Sequence, residues 1–280
     1  TNLAQDLLLN GEFHEGWHRY EDRLNDMEHG LFRAHWGEPW QGMSDSRPLN
    51  RLVLVSEQGL GDTLMFCRLG VELQKQVRHP ITLICQKPLV PLLQKCSELN
   101  QIVEENVQNT NTLATENNLL WCPLMSLPER LDLDPDILKQ DEPYLRLPHE
   151  TVKKWRLKLR RKPGKRLIGV HWQGNPHHEG SLYSRGRSMP FAALRSLKDL
   201  EGVEFVSVQK GAGSEQLQLD AGLPFVEGQV AVSASMDFID TAAVLANCDL
   251  LISADSGVVH LAGALGIPTW VALCYVPEWR

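Results

Sequence analysis

From Arg51 onward, short apolar runs alternate with stretches in which apolar residues recur every three or four positions. That alternation predicts strands and helices in turn. In the first half, strands are expected at 51–56, 81–85, 101–103 and 119–122, with helices over about 62–77 and 88–96 and a helical piece ending near 127. Residues 107–118 are polar and weakly patterned and read as a loop; 130–149 carries three prolines and little periodicity. In the second half, strands are expected at 167–172, 203–208, 225–226, 250–254 and 269–274, and helices at 191–197, 214–221, 238–246 and 256–265. Continuous apolar strands with helical connections imply parallel sheets covered on both faces. The fold class expected is α/β, two Rossmann-like domains.

The N-terminus has a different pattern. Residues 3–9 and 13–24 read as two helices broken at Asn10-Gly11, with Phe13, Trp17, Tyr20 and Leu24 on one face. Gly11-x-Phe13 followed by Gly16-Trp17-x-x-Tyr20 resembles the turn and second helix of a tetratricopeptide repeat. One such unit cannot bury its own face, so it must dock on the next domain or continue a longer array. Residues 27–49 lack periodicity and form a connector, which Phe32, Trp36 and Trp40 pin to a domain surface. The expected divisions are 1–48, a helical remnant with its connector; 49–162, a first Rossmann-like domain; and 163–280, a second one. The last boundary follows the basic helix 151–161, read as a solvated face before a linker.

Composition narrows the function classes. The 280 residues suffice for two domains, and 42% hydrophobic with 22% charged residues is ordinary globular usage. A net charge of −7 argues against broad nucleic-acid binding. The six cysteines show no metal-ligand spacing and several sit in apolar runs, which fits a reducing cytoplasm. No apolar stretch is long enough to span a bilayer, so membrane contact is expected to be peripheral at most.

The chemistry concentrates at strand ends. Asp255-Ser256-Gly257-x-x-His260 follows the strand 250–254 and opens a helix, where free N–H groups and the helix dipole favour an anion. Gly257 permits close approach, Ser256 adds a donor and His260 lies one turn on. Taken alone, the motif reads equally as a helix cap or a phosphate seat. Gly59-Leu60-Gly61-Asp62 follows the first strand. Asp62 at the helix start is either an N-cap or a carboxylate held ionised to accept a proton. The loop after strand 167–172 carries Gly174, Asn175, Arg185 and Arg187, and Gln209-Lys210-Gly211 ends the neighbouring strand. Such loops hold ligands in parallel sheets, and arginine suits a diphosphate. For Lys210, ligand contact and solvated charge stay open. His177 and His178 are adjacent and point apart, so they make a poor metal pair.

The combined motifs, with Leu261-Ala262-Gly263-Ala264-Leu265-Gly266-x-Pro268, Gln58-Gly59-Leu60-Gly61-Asp62-Thr63, Trp172-x-Gly174-Asn175 and Gln209-Lys210-Gly211, resemble the heptosyltransferase-like glycosyltransferases, in the bacterial branch with N-terminal tetratricopeptide repeats. The resemblance implies a type B, metal-independent, inverting glycosyltransferase with no cofactor beyond its nucleotide diphosphate sugar. Asp62 would be the base, with Gly59 and Gly61 shaping the acceptor-side loop. Asp255, Ser256, Gly257, His260, Arg187, Lys210, Gln209, Gly174 and Asn175 would hold the donor. The acceptor would be a glycan, a lipid-linked core or a protein hydroxyl. The chain departs from the pattern at both ends, with one repeat at the start and a stop at Arg280 where relatives continue into a helix, so it reads as a fragment or a short form. The alternatives are a sugar-nucleotide epimerase or hydrolase, and a non-catalytic binding module.

Overall fold

The computed structural model describes residues 2–25, 36–133, 142–179, 186–219, 222–275, 277 and 279. The chain divides into two compact units, one of residues 1–142 with 278–280 and one of residues 143–277.

The first unit opens with helices α1 (Asn2–Leu9) and α2 (Phe13–Tyr20). Strands β1 (Arg51–Val55), β2 (Ile81–Cys85), β3 (Gln101–Glu104) and β4 (Leu119–Pro123) form a wholly parallel sheet in the order β3-β2-β1-β4. Between the strands run α3 (Leu60–Gln76), α4 (Val90–Cys96) and α5 (Val107–Ala114). Every position of β2 is buried, as helix cover on both faces requires. One face of the sheet packs Val53, Val55, Ile84, Leu113 and Trp121 together.

α5 corrects the expected loop at 107–118. Asn106 caps it by accepting from the Asn109 N–H at 2.9 Å, and Leu113 is its sole buried residue, so it has no apolar stripe for periodicity to detect. The connector is pinned as expected: Trp40 is buried and its N–H donates to Trp121 O at 2.7 Å, while Trp121 Nε1 donates to Gly37 O at 2.9 Å. Trp36 meets Trp121 edge to face. Phe32 lies outside the described residues.

The helical pair docks on its own unit. Trp17 is buried and packs edge-on against Phe66 of α3 and against Trp279. Arg23 reaches Glu57, just past β1, through two 3.0 Å hydrogen bonds, and donates to Ser126 Oγ at 2.8 Å.

The second unit holds α6 (His149–Leu159), β5 (Arg166–His171), β6 (Val203–Ser207), α7 (Gln229–Ala234), α8 (Phe238–Leu245), β7 (Leu250–Ala254), α9 (Gly257–Ala264) and β8 (Thr269–Ala272). Its sheet is parallel throughout, in the order β6-β5-β7-β8. Ile168, Val170, Trp172, Phe191, Leu194, Phe205 and Leu223 form its core.

Two sequence expectations change here. The basic helix α6 belongs to this unit, so the division falls between Glu142 and Pro143 rather than after Lys162. Trp155 of α6 is buried, and its Nε1 donates to Asp240 Oδ1 of α8 at 2.6 Å. The segment 225–226 makes only an isolated bridge from Phe225 to Phe205, and the helix α7 follows unannounced.

Candidate functional site

Both sheets reverse direction of strand succession beside their first strand. In the second unit the chain steps from β5 outward to β6, then crosses to β7 on the other side of β5. The carboxyl ends of β5 and β7 therefore bound a switch-point crevice, the usual ligand position in such sheets.

His171, the last residue of β5, is the register partner of Ser253 on β7. Both are buried. His171 Nδ1 lies 3.3 Å from Ser253 Oγ and 3.3 Å from Ser256 Oγ, and Ser253 Oγ donates to Ala254 O at 2.7 Å. Burial pushes the His171 pKa down to about 4, so the imidazole is neutral at neutral pH. The sequence reading passed over this residue because it stands inside an apolar run.

Ser256 has an extended backbone and immediately precedes α9, whose first residue is Gly257. Its hydroxyl makes no cap to the helix, so the first N–H groups of α9 face the crevice without a side-chain cap from Ser256. Asp255 pairs with Arg187, whose Nη2 and Nε lie 3.1 and 3.2 Å from Asp255 Oδ2. His260, one turn into α9, has its pKa lowered by burial; Asp255 opposes that shift and Arg187 reinforces it, so both act on the ring. Arg187, Asp255, Ser256, Gly257 and His260 are thus one cluster with His171 beneath it.

Other expected donor residues are present at the same sheet edge with different work. Gln209 is buried and its amide is spent on backbone: Oε1 accepts from the N–H groups of Trp172 and Gln173, each at 3.0 Å, while Nε2 donates to Gln173 O at 2.7 Å and Ala212 O at 2.8 Å. It clasps the end of β5 to the loop after β6. Gly174 N–H donates to Ser188 Oγ at 3.0 Å, and Ser188 also bonds Glu179. That contact, with Met189 N–H donating to Trp172 O at 2.9 Å, holds the segment carrying Arg187 against the strand end. Asn175 Oδ1 accepts from His177 N–H at 3.1 Å and caps a short turn. Lys210 Nζ donates to Val232 O, and burial lowers its pKa. Arg185 lies outside the described residues.

In the first unit, Asp62 is the third residue of α3 and Gly61 the second. Asp62 Oδ2 accepts from the Gly59 N–H at 2.8 Å, so the carboxylate closes back on the turn that precedes its helix. Gln58 has φ of 55°, a left-handed conformation unusual for glutamine, and its Nε2 donates to Tyr20 Oη at 2.8 Å. Among the described residues, no group of three or more His, Cys, Asp or Glu is placed to hold a metal ion.

Asp255, Ser256, Gly257 and His260, though not Arg187 or His171, fall in a segment that matches a known family. Residues 191–273 match the profile of Glycosyltransferase family 9 (heptosyltransferase). Protein FlbA of Caulobacter vibrioides is 24% identical over an alignment of 289 residues that takes in 96% of this chain and 46% of FlbA. The chain thus spans about half the length of that curated relative. Among solved structures, a glycosyl transferase family 9 protein from Veillonella parvula is similar with a TM-score of 0.57 and 15% identity, covering 83% of this chain and 82% of that one. ADP-heptose lps heptosyltransferase II of E. coli is similar with a TM-score of 0.54 and 16% identity, covering 79% of this chain and 84% of that one. The α/β fold with parallel sheets is therefore the one these family 9 structures share. No described helix is long and apolar enough to cross a membrane.

Proposed function

We propose that this chain transfers a sugar from a nucleotide diphosphate sugar to a hydroxyl of a glycan, a lipid-linked acceptor or a protein, with inversion at the anomeric carbon. The observation that carries the reading is the cluster of Asp255, Ser256 and His260 at the start of α9, inside the segment that matches family 9, with Arg187 paired to Asp255 from just ahead of that segment.

The donor diphosphate would lie on the N–H groups of α9 beside the Ser256 hydroxyl, and replace Asp255 as the partner of Arg187. Asp62 would accept the proton of the acceptor hydroxyl as its oxygen bonds the anomeric carbon. The bond from that carbon to the phosphate oxygen breaks at the same time, and the nucleoside diphosphate leaves with the electron pair. Attack from the face opposite the leaving group inverts the carbon. Arg187 and the helix end supply positive charge where negative charge builds on the leaving diphosphate, so the reading assigns no metal to the step and expects the rate to survive a chelator. Gln209 and Gly174 contribute by fixing the loops, and Lys210 would join only by leaving Val232 O.

Calorimetric titration with ADP, GDP and UDP, and with their sugar conjugates, tests the donor seat. One diphosphate is expected to bind, with His260→Ala and Arg187→Ala each weakening it tenfold or more. Asp62→Asn keeps an oxygen for the Gly59 N–H, so it removes the base with little cost to the helix start. Transfer is expected to fall about 100-fold or more, with donor affinity unchanged. Full transfer activity in that variant would remove Asp62 from its role, and binding of none of the diphosphates would overturn the donor seat.

A further inference from the structure

His171 holds three atoms in a pattern that has a chemical consequence. Its Nδ1 is 3.3 Å from two hydroxyl oxygens, Ser253 Oγ and Ser256 Oγ, at the mouth of the switch-point crevice. The Ser253 hydroxyl gives its one proton to Ala254 O at 2.7 Å, so toward His171 it can only accept. A bare Nδ1 would face that oxygen lone pair to lone pair, between a buried imidazole and a wholly buried serine. A proton on Nδ1 satisfies Ser253 and is shared with Ser256 Oγ. Ser256 then accepts from His171 and keeps its own proton for whatever occupies the start of α9. With the other tautomer the Ser256 proton would turn inward to Nδ1, and the crevice would meet an oxygen lone pair instead of a donor.

We propose that His171 is a positioning residue that makes Ser256 a dedicated hydrogen-bond donor to the donor diphosphate, by standing in the Nδ1–H tautomer. The inference rests on the donor-seat reading above and adds a residue to it. Its geometry comes from the register of two strands: His171 and Ser253 are direct partners on β5 and β7, so their side chains stand on one face and meet. Ser256 is brought in by the turn between β7 and α9. His171 itself is shut off beneath the seat and acts through Ser256.

The test uses the full chain and ADP, GDP and UDP as probes, in calorimetric titrations with thermal melts for each variant. His171→Asn places an amide N–H near the position of Nδ1–H and is expected to bind within about threefold of the parent. His171→Leu keeps an apolar filler without a donor and is expected to bind on the order of tenfold more weakly. In a Ser256→Ala background the His171→Leu change should cost less than twofold further, because its effect passes through Ser256. Equal losses for His171→Leu with and without Ser256, or a loss in His171→Asn as large as in His171→Leu, would overturn the proposal. Should His171→Leu not fold, nitrogen-15 spectra of the parent decide it: a protonated Nδ1 is expected, and a protonated Nε2 with bare Nδ1 sinks it. A parent that binds none of the three diphosphates would fail the donor-seat reading itself, whereas bound diphosphate with an insensitive His171 would fail this inference alone.

Discussion

At the scale of single residues, the second unit stores a pH dependence in His171. Its pKa is about 4 in the folded chain because burial penalises the imidazolium, against an ordinary value near 6.5 when exposed. Between those values the unfolded chain binds the proton and the folded chain does not, so stability rises with pH across that window and is lost as pH falls from about 6.5 toward 4. From pH 7 to pH 5 the loss attributable to this side chain amounts to about 2 kcal/mol. Denaturant unfolding of the parent and of His171→Asn at both pH values should show that difference, with the parent the more acid-sensitive; parallel slopes would contradict it. His260 is shifted in the same direction by burial, so some acid sensitivity should remain in the variant. Gln209 makes a separate point about residues at strand ends. After β6, Gln209 reads in the sequence as a group beside the donor and Lys210 as either a ligand contact or a solvated charge, yet the amide of Gln209 is consumed by backbone groups and Lys210 turns to a carbonyl. A polar residue there can build the loop that a ligand meets without facing the ligand.

At the scale of elements, the helical pair α1–α2 is tied to the first sheet by charge as well as by Trp17. Arg23 and Glu57 are both buried and joined by two parallel hydrogen bonds, with Met125 N–H also donating to Glu57 Oε2 at 3.0 Å. Burial alone would lower the pKa of the guanidinium, but the Glu57 carboxylate holds it above its ordinary range. Glu57 follows β1, whose neighbour β4 lies on the opposite side from β2, so the pair fills the first unit's own switch-point position and stands next to the turn that leads to Asp62. Breaking such a pair strands a charge: Arg23→Met should destabilise the first unit by about 3 kcal/mol or more. Arg19→Ala, which removes only the exposed pair with Glu15 on α2, should stay within about 0.5 kcal/mol. Urea unfolding followed by tryptophan fluorescence measures both, and equal small effects would show that the helices are held by apolar packing alone. None of this was legible in the sequence, where Glu57 looked like a turn residue. The strands were legible because helices cover both faces of a parallel sheet and leave near-continuous apolar runs. α5 was not, since its eight residues bury only Leu113. α7 was not, since its valines read as strand formers and it has no side-chain cap, its first residue Gln229 instead bonding the backbone of Ser207 on β6. The Asp255 cluster was legible as a turn motif, while His171 was hidden by lying within β5.

At the scale of the whole molecule, the second unit begins earlier than charge pattern suggests, and this can be tested by cutting. α6 carries a run of exposed basic residues, and only Trp155 and Leu159 are buried among its eleven. Those two decide where it belongs. Trp155 bonds Asp240, Gly228 N–H donates to Leu159 O at 3.2 Å, and Asn247 Nδ2 donates to Val152 O at 3.0 Å. The contact at Gly228 is so close that a Cβ there would stand 2.2 Å from Lys158 O, which only glycine allows. Ahead of α6, the N–H groups of Tyr144 and Leu145 both donate to Ala264 O at the end of α9, and Gly266 meets Pro143 with φ of 71°. The strap 143–148 therefore closes the helix whose other end is the proposed diphosphate seat. Removing strap and helix would expose the partners of a buried tryptophan and leucine, about 5 kcal/mol with their hydrogen bonds, which approaches the whole stability of a domain this size. A fragment of residues 143–277 should therefore unfold cooperatively and keep the nucleoside diphosphate affinity of the full chain within about threefold, while a fragment of residues 163–277 should show no cooperative transition and no binding. Comparable melts for the two fragments would return the boundary to Lys162 and reduce α6 to a linker helix. A folded 143–277 fragment with no affinity, beside a full chain that binds, would instead show that the seat needs a contribution from the first unit.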